Sequence, residues 1–114
     1  MDWGKVTYIF FSLMSLTTTA GFLYEPHAVA LFLAAGVNVI STILKIGVKN
    51  LLAAELLASS LVADLHLIPA FMLLTFAGDE RMAIALAIGA VVANIFSIAL
   101  ALIESAKSQE KDEY

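Results

Sequence analysis

Four apolar runs separated by short polar connections decide what this chain can fold into. They cover about residues 3–24, 27–45, 51–77 and 81–104. Each is close to the roughly 20 residues that a helix needs to cross a ~30 Å hydrocarbon core. Of the 114 residues, 61% are hydrophobic and 14% charged, whereas soluble domains carry roughly 25% charged residues. A water-soluble fold of this composition would leave too much apolar surface in water. The chain is therefore read as all-α, a polytopic membrane protein built as an antiparallel bundle of four transmembrane helices. Residues 1–104 form the transmembrane domain, and 105–114 a polar cytoplasmic tail expected to be frayed.

The connections are only a few residues long, which makes consecutive helices antiparallel neighbours. An even number of spans puts both ends on one side. Lys5, Lys45, Lys49, Lys107 and Lys111 fall with the termini and the second connection, and only Arg81 falls opposite. By the positive-inside rule both termini are expected to be cytoplasmic. Trp3, Tyr8 and Tyr24 sit like interfacial aromatics, Pro26 suits a first helical turn, and Asn50 suits an N-cap. Lys5 and the apolar run after it imitate a secretory signal, but the run is too long for one and reads as a first span.

Composition excludes several functions. Six Lys and Arg residues, with a net charge of −4, give no basic face for nucleic acid. Cysteine is absent, so thiol chemistry and Cys-based metal sites are excluded. The two histidines are 39 residues apart with no third ligand at metal spacing, so neither a metal nor another cofactor is expected. No nucleophile–base pair or phosphate loop occurs, and an enzyme is not expected.

Spacing shows where helices touch. In the second run His27, Ala30, Ala34, Asn38, Ser41 and Lys45 share a stripe. In the fourth, Ala83, Ala87, Ala90, Asn94, Ser97, Ala101 and Glu104 do the same. Small residues on a stripe let helices approach closely in lipid. The third run differs. At 100° per residue Glu55, Ser59 and His66 lie on one side, while Ser60 and Asp64 project from nearly the opposite one. A charged group facing lipid costs at least ~2.5 kcal/mol on insertion scales. Both sides therefore need protein or water against them, and a homo-oligomer supplies it most simply.

Chemistry is concentrated in Asp64-Leu65-His66-Leu67-Ile68-Pro69. Pro69 removes the hydrogen bond to the Leu65 carbonyl and is expected to kink the helix there. Such a freed acceptor needs a polar partner or a water-filled cavity at membrane depth. With Asn38, Asn94 and Glu55, the residues Asp64 and His66 make a candidate pathway for monovalent cations or protons. A homo-oligomeric channel or small transporter is the first expectation. The alternative is a non-transporting structural or assembly subunit, in which the same groups make interhelical hydrogen bonds. Lys45 and Lys49 near the boundary are read as interfacial charges, paired with Glu55 or touching lipid headgroups. Glu25 and His27 read as a solvated turn.

In size and helix number the chain is similar to small multidrug-resistance transporters and fluoride channels. It lacks the first-helix Glu of the former and the Gly-rich and Thr-Thr-Phe-Ser signatures of the latter. The segment from Asn50-Leu51-Leu52-Ala53-Ala54-Glu55 through Asp64-Leu65-His66-Leu67-Ile68-Pro69 resembles an uncharacterised family of short bacterial inner-membrane proteins, a resemblance that implies no function.

Overall fold

The computed structural model describes residues 3–46 and 52–113, with side chains as far as 107. Lys49 and Asn50, the expected interfacial charge and N-cap, lie outside the described residues. The described chain is all-helical: α1 spans Trp3–Tyr24, α2 Ala28–Lys45, α3 Ala53–Met72 and α4 Glu80–Glu113. All four are long and apolar enough to cross a membrane. The molecule measures 55 × 22 × 19 Å, and its long axis matches the ~51 Å expected of a 34-residue helix such as α4.

The end of the last helix differs from the sequence reading. The polar stretch after Glu104 is not frayed: it continues α4 as helix to Glu113. Its run of Glu, Lys, Gln and Ala residues favours the helix, and α4 is already nucleated by the apolar segment before it. At Pro69, α3 stays α-helical through to Met72 and then widens into a π-helical turn, Leu73–Ala77. That turn ends at Gly78, whose φ of 65° lies in the left-handed region that glycine adopts most readily. Asp79 then accepts a hydrogen bond from the Met82 N–H at 3.0 Å and caps the start of α4.

Side-chain bonds fix the register. Ser41 of α2 meets Ser12 and the Tyr8 carbonyl of α1, and Asn38 meets Ser15. Between α1 and α4, Lys5 meets Glu104 and Ser15 meets Asn94. Low numbers on one helix thus pair with high numbers on the next. The small-residue stripes lie at these contacts. All seven residues of the α4 stripe are buried, as are Ala34, Asn38, Ser41 and Lys45 of α2.

The interior is inverted relative to a soluble protein. Ser, Thr, Asn, Asp, Lys and Glu side chains are buried, while Phe32, Ile43, Leu65, Val92, Ile95 and Leu102 face outward. Only a solvent of hydrocarbon makes that distribution favourable. Along the bundle, Phe22, Leu31, Leu67, Ala70, Ala83 and Ala87 form an apolar layer toward the first and third connections. Tyr8, Leu56 and Ala101 form a smaller one toward the termini. Ser12, Ser15, Asn38, Ser60, Asp64 and Asn94 lie between.

Candidate functional site: a buried carboxylate and its donors

Each helix contributes at least one polar side chain to a single hydrogen-bonded network. Asn94 Nδ2 of α4 donates to Ser15 Oγ of α1 at 3.2 Å. Ser15 Oγ donates to Asn38 Oδ1 of α2 at 2.7 Å. Asn38 Nδ2 donates to Asp64 Oδ1 of α3 at 2.5 Å, and also faces the Ser60 carbonyl at 3.3 Å. The other carboxylate oxygen, Oδ2, accepts from Thr42 Oγ1 at 2.6 Å, and Thr42 is in turn 2.6 Å from Ser60 Oγ. Chemistry fixes the orientation of Asn38, because a backbone carbonyl and a carboxylate can only accept and so must face the amide nitrogen. Every dipole in the chain therefore points its donor end toward Asp64.

These groups are shielded from solvent: Asp64 is 8% exposed and Asn38 1%. A carboxylate in such a place needs charge compensation as well as donors. Lys45, 4% exposed, is buried as well. Its Nζ donates to Ser97 Oγ of α4 at 3.0 Å. Lys45 is thus drawn into the bundle, and the interfacial pairing with Glu55 expected from the sequence does not form. A second acid–base pair closes the terminal end, where Lys5 Nζ lies 2.9 Å from Glu104 Oε2.

The expected site residues separate into two groups. Asp64, Asn38 and Asn94 belong to the internal network, and Lys45 is buried separately against Ser97. His66 and Glu55 do not: they line a groove on the far side of α3, facing α4. His66 Nδ1 is 2.7 Å from the Val62 carbonyl, and its ring lies against Gly89. The Leu65 side chain points outward, and Pro69 is half-buried. The Asp64 side of α3 thus faces α2, and the side carrying Glu55, Ser59 and His66 faces α4 across an open-sided groove. At the first connection Glu25 and His27 pair at 3.0 Å and are both exposed, in keeping with a solvated turn.

Sequence reasoning missed Thr42, Gly89 and the Lys5–Glu104 pair as members of these sites. Thr42 sits one turn after Asn38, and Ser60 one turn before Asp64, so i, i+4 spacing marks both. Lys5 and Glu104 lie one at each end of the chain, and only the helix register brings them together. No group of three or more His, Cys, Asp or Glu side chains that could hold a metal ion occurs among the described residues.

No curated protein and no solved structure matches the chain. A family model does, over residues 25–105, which takes in α2, α3 and most of α4 and so Asn38, Asp64, His66, Gly89 and Asn94. The chain belongs to that family, the family of unknown function DUF6394.

Proposed function

We propose that the protein is a non-transporting structural or assembly subunit of a membrane complex, with Asp64 as the pin that locks four helices into one antiparallel register. The observation that carries this reading is the convergence of donors on Asp64. Asn38 and Thr42 take both oxygens, and Ser15 and Asn94 polarise Asn38 from behind. A proton pathway needs groups that release and recover protons, and Asn38, an amide, does neither at the step between Asp64 and Ser15. The layer of Phe22, Leu31 and Leu67 also separates this network from the first and third connections.

The same reading places both termini on the cytoplasmic face of a bacterial inner membrane. Lys5, Lys45 and Lys107 lie toward the terminal end and Arg81 toward the other, which supports it.

A second reading is a homo-oligomeric channel or transporter for a cation or protons. It is favoured by the burial of two ionisable side chains, Asp64 and Lys45, inside the bundle. Pro69 and the π-helical turn after it are where α3 would bend in such a mechanism. Purified protein in liposomes, assayed for proton, sodium and potassium flux, separates the two readings. The assembly reading expects flux equal to empty liposomes, and Asp64→Asn changing stability alone. Flux that Asp64→Asn abolishes while the fold survives would overturn it.

A further inference from the structure

The groove between α3 and α4 is unrelated to the Asp64 network. It is open-sided, has a volume of about 650 Å³, and is walled by Ala58, Val62, Val92, Ala93 and Phe96, with Gly89 as its floor. That volume falls within the roughly 300–1,000 Å³ of small-molecule sites. From Glu55 to His66 the groove follows eleven residues of α3, a length of about 16 Å.

Its walls are apolar with few polar groups, and those few differ in what they offer. Ser59 already donates to the Leu56 carbonyl at 3.1 Å. Glu55 is exposed at the end nearer the start of α3. His66 remains. The Val62 carbonyl can only accept, so the contact at 2.7 Å requires the hydrogen on Nδ1. In the neutral ring Nε2 then carries a lone pair, and among the described residues it has no hydrogen-bond partner. Gly89 leaves room for the ring: a Cβ there would stand 2.7 Å from Nε2 and closer still to Cδ2.

His66 falls near the middle of the Ala53–Ala77 span, so this acceptor lies near the bilayer centre. Lipid acyl chains have no donor to satisfy it, and phospholipid headgroups are held at the interface, ~20 Å away along a helix. What reaches that depth is an uncharged molecule dissolved in the hydrocarbon that carries its own hydroxyl. A phenolic hydroxyl is a stronger donor than an alkanol, and an aromatic ring can pack against Phe96 of the groove wall. We propose that the α3–α4 groove binds a membrane-dissolved phenol or quinol, whose hydroxyl donates to His66 Nε2 and whose hydrocarbon tail lies along the groove.

The test uses the full chain in lipid nanodiscs with ¹⁵N-labelled histidine, titrated with dodecylphenol or its methyl ether. The chain has two histidines, so each ring is resolved separately. The expected result is a saturable shift of His66 Nε2 by the phenol, with His27 unmoved. The ether should bind about tenfold more weakly, the loss of one hydrogen bond. His66→Phe, which keeps the ring volume, should bind the phenol only as well as the ether. Gly89→Ala, which displaces the imidazole, should show the same loss. Equal affinity of wild-type protein for phenol and ether would mean nonspecific partitioning and overturn the proposal. So would shifts at both histidines, or at neither.

Discussion

The contact between Asn38 and Asp64 lends itself to a double-mutant cycle. Asn38→Ala leaves Asp64 Oδ1 without its donor and the Ser15 hydroxyl without its acceptor. Asp64→Ala leaves Asn38 Nδ2 only the longer contact to Ser60 O. Neutral hydrogen bonds between membrane helices average ~0.6 kcal/mol in such cycles and reach ~1.7. A bond to a charged group is roughly twice as strong as a neutral one. At 2.5 Å and in a shielded interface, the coupling between Asn38 and Asp64 should be about 1.5 kcal/mol. Asn38→Ala alone should cost about 3 kcal/mol, because a buried charge and a hydroxyl both lose partners. The double variant should be less destabilised than the two single losses added together. Equilibrium unfolding in mixed lipid–detergent micelles measures all four proteins. Additivity within ~0.3 kcal/mol would refute the idea that Asn38 solvates the carboxylate.

Other consequences test separate parts of the fold. Lys5→Met should cost about 2–3 kcal/mol in the same assay, below the full penalty for a buried pair because Lys5 is partly exposed. Lys5→Met combined with Glu104→Met should recover most of that loss, and no recovery would mean that the two charges are independent. Gly78→Ala has open space around the new methyl group, so only its φ of 65° opposes it. A loss of about 1 kcal/mol is expected; a neutral effect would show that the turn relaxes. Because the chain has no cysteine, single cysteines report topology without background. In cells, Asp79→Cys should react with an impermeant maleimide added outside and Ser105→Cys should not; the reverse pattern would invert the proposed orientation.

Much of this architecture is legible from local periodicity. The stripe Ala83-Ala87-Ala90-Asn94-Ser97-Ala101-Glu104 identifies the buried face of α4 residue by residue, because in lipid small and polar side chains mark helix contacts. The opposing directions of Asp64 and His66 on α3 follow from 100° per residue, and the structure places them in separate environments. What periodicity does not reach is the rotation of one helix against another. That rotation turns Lys45 toward Ser97 instead of outward, and it joins Lys5 to Glu104 across nearly the whole sequence. At Pro69 one lost backbone bond leaves α3 helical, and a π-helical turn follows four residues later.

The claim that Asp64 is held by protein dipoles instead of water can be measured directly. Water-edited solid-state NMR on bilayer-embedded protein, labelled with ¹³C at aspartate, compares polarisation transfer from water to each carboxyl carbon. Asp79, exposed in the third connection, should receive transfer within the shortest mixing times, and Asp64 should receive almost none. Transfer to Asp64 as rapid as to Asp79 would place water at the carboxylate and contradict the account.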